Sequence, residues 1–269
     1  MDFFIIILIF QITSYYILQI EIYFSISTTT IQMKKIINYQ YFLYLSLSFV
    51  LFTVIGTLSH EFGHILVAKS LGYETTLHYG SMNYHGSELT NKLNDIHNRN
   101  LQSITEKHHF IEQELYTNLL RKSLYNSLLI AIGGPLQTIL TGTIGLILLL
   151  YQNAKIQAHG MKIFDWFSVL LSLFWLREIF NLLASVSAGI LSGSGNYFSG
   201  DELHIAWYLQ VWEGTFAIVL GIMGLLISLF VIFKIIPKQW QITFIVSGLV
   251  GGSLGFVLWM KIVGPILLP

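Results

Sequence analysis

His60-Glu61-Phe62-Gly63-His64 reads H-E-x-x-H, an arrangement in which one helical turn can grip a metal ion and activate water beside it. Imidazoles four residues apart lie about 40° from each other around a helix and one turn apart, so both can bind the same ion. Glu61 then projects beside the metal, where a carboxylate can accept a proton from water during metal-assisted hydrolysis. The pentad closes a long apolar stretch. Ionisable groups are expensive in such a stretch and usually functional, yet three of them occupy these five positions.

A catalytic zinc site needs a third protein ligand and an open position. The 269 residues contain nine histidines and no cysteine, which removes thiolate sites, disulfides and cysteine nucleophiles and leaves His, Asp or Glu as ligands. Asp201 is the first choice. It follows the small-residue loop Ser192-Gly193-Ser194-Gly195-Asn196, which can fold back where irregular backbone lines protein or water. Against this, Asp201 and Glu202 also suit the N-terminus of a helix continuing through His204 and Trp207, where acidic residues are favoured. Glu178 is the main competitor, a carboxylate in an apolar helix that also carries Arg177 and Asn181. Adjacent on a helix, Arg177 and Glu178 point about 100° apart, and they are assigned to helix association or to orienting the site. Glu202 and His204 are weaker ligand candidates.

The elements that must position these groups are membrane helices. Hydrophobic residues make up 54% of the chain and charged ones 10%, with a mean hydropathy of +0.66, far from soluble averages of roughly 25% charged. The fold class expected is an all-α multi-pass membrane protein. Runs long enough to cross roughly 30 Å of hydrocarbon cover Phe3 to Phe24, Tyr41 to Lys69, Ser123 to Leu150, Trp166 to Leu191, Gly214 to Ile236 and Ile242 to Met260, six in all. Gln11, Gln19 and Glu21 interrupt the first, and Met33-Lys34-Lys35 resembles a second chain start. Residues 1–32 are therefore read as an extra helix or a mis-assigned start, and 33–269 as the membrane-embedded domain. Fourteen basic residues balance fourteen acidic ones, which gives no electrostatic case for a nucleic-acid partner. The lipid bilayer is the partner implied.

A polar loop spans 72–122. Tyr73 to Tyr79 alternates and ends at Gly80, suggesting a strand, with Asn83 to Gly86 as a turn and return. Leu101, Ile104, Ile111, Leu115 and Leu119 recur at helical spacing among charges, as in an amphipathic helix on a membrane or a helix packed on its own domain. His78, His85, His97, His108 and His109 lack ligand spacing and receive no role. Lysines and arginines load both sides of the helices similarly, so orientation stays open.

Counting along the helices brings the motifs together. His60 lies about 28 Å along a helix starting near Tyr41; the next helix returns, so Gly133-Gly134-Pro135 share that side, and a further crossing delivers Gly200-Asp201-Glu202 to it. Three polar or helix-breaking motifs meet in one leaflet.

These residues resemble the site-2 proteases, zinc metalloproteases that cut substrates within or near the membrane. His60 to His64 followed by Ala68-Lys69 is similar to the family's first motif, and Gly134-Pro135-Leu136 to its Gly-Pro element, with Thr138 where an Asn commonly follows. The resemblance implies that His60 and His64 bind zinc, that Glu61 is the base, and that the strand after the first motif receives an extended substrate by edge pairing. The third motif departs, because Asp201 lies between Gly200 and Glu202 instead of within Asn-Pro leading to Leu-Asp-Gly, and Asn181 fills the Asn position only across an insertion. The expectation is an intramembrane zinc metalloendopeptidase acting on membrane-associated proteins: His60, His64 and Asp201 hold Zn²⁺, Glu61 is catalytic, and Gly134, Pro135, Thr138, Asn181, Glu178 and Arg177 position substrate or ligands. The alternatives are a non-proteolytic membrane zinc-binding protein, in which a base beside the metal has no purpose, and an ion transporter, for which no internal repeat is evident. The chain carries no signal for oligomeric state.

Overall fold

The computed structural model of the protein describes residues 37–193 and 195–269. The apolar run Phe3 to Phe24 lies outside the described residues. Helix α1 (Tyr39–Ser70) leads into a hairpin of β1 (Glu74–Leu77) and β2 (Met82–His85), then α2 (Glu88–Arg99), α3 (Leu101–Thr105) and α4 (Gln113–His159). Helix α5 (Ile163–Ser172) passes through a 3₁₀ turn, Leu173–Trp175, into α6 (Leu176–Ser192). Short α7 (Asp201–Tyr208) precedes α8 (Thr215–Phe230), α9 (Lys238–Val257) and α10 (Gly264–Leu267), with π turns at Val231–Ile235 and Leu258–Val263. The architecture is all-α apart from the hairpin. Among the described residues, five helical segments are long and apolar enough to cross a membrane: Tyr39–Ser70, Gln113–His159, Ile163–Ser192, Thr215–Ile235 and Lys238–Leu267.

One apolar core lies away from the pentad. Leu45 and Phe49 of α1 meet Leu149 and Ile156 of α4, Val169 and Leu173 of the α5 segment, and Val231, Ile235 and Phe244. This end clamps the helices; a smaller apolar cluster of Ala68, Tyr73 and Ile130 lies at the pentad end. Small residues set how closely backbones approach. Gly251 and Gly255 of α9 lie against Ser46, Val50 and Thr53 of α1, where a Cβ on Gly255 would come within 2.9 Å of Val50 Cα. Gly252, next to Gly251 in the chain, faces open space. The outward faces stay apolar: Leu43, Leu47, Leu51 and Ile55 of α1 are between 41% and 69% exposed.

The hairpin differs from its expected form. Its turn is His78 to Ser81, closed by the His78 N–H donating to the Ser81 carbonyl at 2.9 Å, so Asn83 and Tyr84 belong to β2, paired with Thr76 and Thr75. Gly86, at φ +70°, ends the strand instead of forming the turn. The hairpin rests on α4, with Tyr84 donating to Ser127 Oγ and Asn126 donating to the Tyr73 hydroxyl, each at 3.3 Å. Its tip is tied to the end of the chain: the Tyr79 N–H donates to the Leu268 carbonyl at 2.9 Å and Trp259 Nε1 to the Tyr79 carbonyl at 2.7 Å.

The amphipathic helix expected through Leu101 to Leu119 is divided. Lys107 adopts a left-handed φ of 54°, which stops α3, and Leu115 and Leu119 open α4 instead. Helix α4 therefore starts ten residues before the expected Ser123, and its 47 residues extend about 70 Å at 1.5 Å per residue.

Candidate metal centre

Helix α1 supplies His60, Glu61 and His64, all of them buried. Helix α4 crosses it at a glycine pair. A Cβ on Gly63 would strike the Gly133 carbonyl, and one on Gly134 would strike both imidazoles, so this crossing tolerates no side chain at either place. The close approach lets α4 serve the histidines from behind. The Ile130 carbonyl lies 2.6 Å from His64 Nδ1, and Thr138 Oγ1 lies 2.9 Å from His60 Nδ1.

Those two contacts fix the tautomers. A carbonyl only accepts, so His64 Nδ1 carries the proton, although the Gly134 N–H also lies 3.2 Å from that nitrogen. Thr138 donates its hydroxyl proton to the Gly134 carbonyl at 3.2 Å and so accepts from His60 Nδ1–H. In the neutral rings both Nε2 atoms then present lone pairs. They are 3.2 Å apart.

Asp201 completes the group from α7. Its Oδ2 lies 2.9 Å from His60 Nε2 and 3.1 Å from His64 Nε2. Gly200, at φ +81°, turns the chain into α7 in a conformation that side chains rarely adopt, and so aims the following aspartate. Two bonds hold this region to α6: Asn181 Nδ2 donates to Glu202 Oε1 at 3.1 Å, and the hydroxyls of Ser185 and Ser199 meet at 2.8 Å. Burial by itself would raise the Asp201 carboxyl; a ring protonated at both nitrogens donates its Nε2–H to this oxygen, and that hydrogen bonding to His60 and His64, with the ring charge, outweighs burial and holds the carboxyl well below the ordinary carboxylate range.

Two imidazole lone pairs and a carboxylate thus converge, with the ring protons turned outward. A cation at their centre could satisfy all three acceptors at one point. An ion held tetrahedrally at about 2.0–2.1 Å separates its ligand atoms by about 3.3 Å, and the separations here are 2.9, 3.1 and 3.2 Å. Imidazole and carboxylate ligands, without sulfur, suit zinc among other divalent transition metals. Among the described residues this is the one such group of three.

The remaining expected site residues fall around it. Gly134 and Pro135 lie where α4 passes the imidazoles, and Thr138 bonds one of them. Glu61 is 6% exposed, with Arg177 Nη2 3.9 Å from its Oε1. Glu178 is outside the ligand group, its buried carboxyl facing that of Glu202. Asn181 bonds Glu202 and does not join the ligands. His204 stacks on Trp207. Two contributors escaped the sequence reading. Ile130 acts through a backbone carbonyl, which leaves no mark in residue type, whereas Glu202, read as a helix-N-terminal acid or a weak ligand, acts as an anchor by accepting from Asn181.

No family model, curated protein or solved structure matches the chain.

Proposed function

We propose that the protein is a multi-pass integral membrane zinc metalloendopeptidase of site-2 protease type, hydrolysing peptide bonds of membrane-associated protein substrates. The observation that carries this reading is the convergence of His60 Nε2, His64 Nε2 and Asp201 Oδ2 on the helical turn that also bears buried Glu61. Metal storage needs the three ligands. It has no use for a fourth, non-ligating carboxylate kept out of solvent beside them.

The membrane setting is supported by five apolar helices of sufficient length and by their exposed leucine and isoleucine faces, which water would disfavour over so wide an area. His60, His64 and Asp201 would hold the ion. Zinc supplies Lewis acidity there, making water acidic enough to lose a proton near neutral pH and polarising the scissile carbonyl. Glu61 accepts that proton and returns it to the leaving amine. Thr138 and the Ile130 carbonyl keep the imidazoles in the metal-binding tautomer, a role that raises ligand basicity as well as fixing orientation.

A membrane-spanning substrate arrives as a helix with its carbonyls already hydrogen-bonded, so a segment must unwind before one can react. The hairpin offers strand edges for the extended segment, beside the site through its contacts with Asn126 and Ser127.

The test is paired mutagenesis in detergent with metal analysis and a membrane-anchored reporter. His60→Ala is expected to lose zinc. Glu61→Gln is expected to keep zinc and abolish cleavage, and wild-type cleavage by that variant ends the hydrolase assignment.

A further inference from the structure

Arg177 is a charged donor with unspent capacity. A guanidinium carries five N–H donors, yet Arg177 Nε is buried without a hydrogen-bond partner. Its one ion-pair contact among the described residues is Glu61, at 3.9 Å, too long for a hydrogen bond. Leaving a buried charged donor unsatisfied is costly and calls for a purpose. The side chain is 26% exposed, so the group is not sealed in the core. It lies two residues past the 3₁₀ turn Leu173–Trp175, whose tighter winding rotates the following side chains by about 60° relative to a continuous α-helix. Its charge acts on His60, Glu61 and Glu178 together, which puts it at the junction of ligand, base and α6.

Resting on the hydrolase reading above, the geometry points to Arg177 as a second catalytic residue, donating hydrogen bonds to the oxyanion of the tetrahedral intermediate. The charge balance explains why an arginine would stand here. Before reaction the guanidinium faces the Glu61 carboxylate. As water oxygen bonds to the carbonyl carbon, the water proton goes to Glu61 and the carbonyl π pair goes to its oxygen. Negative charge leaves the carboxylate and reappears on the substrate a short distance away. Arg177 exchanges one anion for the other without leaving its place. Collapse of the oxyanion then breaks the C–N bond, and Glu61 gives its proton to the amine. Donors fixed in advance toward a developing charge act in this way without reorganising during the step.

The experiment compares two dye-labelled peptides of one sequence, a phosphinic peptide that carries a tetrahedral anion and its planar amide parent. Binding is followed by fluorescence anisotropy on the full-length, zinc-loaded protein carrying Glu61→Gln, which is expected to cleave neither. Adding Arg177→Met is expected to weaken phosphinic binding about 100-fold and planar binding less than about 3-fold, with zinc content unchanged. Arg177→Lys, which keeps the charge but not the planar fork, is expected to lose about 10-fold on the phosphinic peptide alone, and it carries the test if the methionine variant fails to retain zinc. Equal weakening of both peptides, or of neither, overturns the inference. The two readings fail separately. If Glu61→Gln cleaves the amide, the hydrolase reading falls; if it is inactive and Arg177→Met binds both peptides as its parent does, only the role of Arg177 falls.

Discussion

Thr138 Oγ1 accepts the Nδ1 proton of His60 at 2.9 Å from 78 positions away. The same hydroxyl donates to the Gly134 carbonyl one turn earlier on its own helix, so its orientation is fixed before any metal arrives. Partners of this kind usually alter metal affinity 10- to 100-fold. Thr138→Val, matched in shape but without the hydroxyl, is expected to weaken zinc binding by about that factor, while Thr138→Ser stays near wild type. Competition with a zinc-binding dye measures both. Equal affinity for the valine and serine variants would remove Thr138 from the site.

Asp201 and Glu178 make opposite claims on the third ligand position. Asp201 Oδ2 lies within 3.1 Å of both Nε2 atoms, whereas Glu178 is outside the ligand group. Asp201→Asn is expected to reduce zinc retention at least about 10-fold, and Glu178→Gln to reduce it far less, read by metal content after gel filtration. The reverse order moves the third ligand to Glu178.

The crossing of α1 and α4 gives a steric prediction. Gly134→Ala places a methyl group against both imidazoles and is expected to abolish zinc binding. Gly252→Ala, on an open helix face, is expected to leave metal content unchanged and to stabilise slightly, by at most about 1 kcal/mol, since alanine is the better helix former. Zinc analysis and thermal unfolding in the same detergent distinguish a local clash from general misfolding.

Acid should strip the metal by way of the imidazoles. Asp201 has a depressed folded pKa, so its contribution is present above the unfolded value of about 3.9 and is lost only as pH falls through the lower folded value. It stays ionised across the range in which histidines, ordinarily near 6.5, compete for protons. Zinc release on acidification is therefore expected to begin below about pH 6 and take up close to two protons per ion. Uptake of fewer than about one proton per ion released would show that the imidazoles do not control release.

Much of this centre was legible because helical periodicity and helix direction are strong constraints. The spacing of His60 and His64 fixes a shared face, and alternating crossings bring Gly134 and Asp201 to their level. What escaped depended on backbone. The Ile130 carbonyl exists at every residue, and its use follows from the close crossing permitted by Gly63 and Gly133. The start of α4 was missed because hydropathy follows the bilayer and not the helix: Gln113 to Lys122 is polar, yet its Glu, Leu, Arg and Lys residues are good helix formers. The hairpin turn was displaced because Gly86 looked like a turn residue, whereas its positive φ terminates β2. Thr138 was legible only as a departure from a familiar motif. In the folded chain it has a definite partner.

The short α7 bears one of the three ligands, and among its anchors to the rest of the protein are the Asn181–Glu202 and Ser185–Ser199 bonds. An ion shared with α1 would rivet this segment across 141 positions of sequence. Chelation would then do more than silence chemistry: amide protons of α7 should exchange faster in chelator while those of the distant Phe49–Phe244 packing keep their protection, making the ion a structural clasp as well as a reagent.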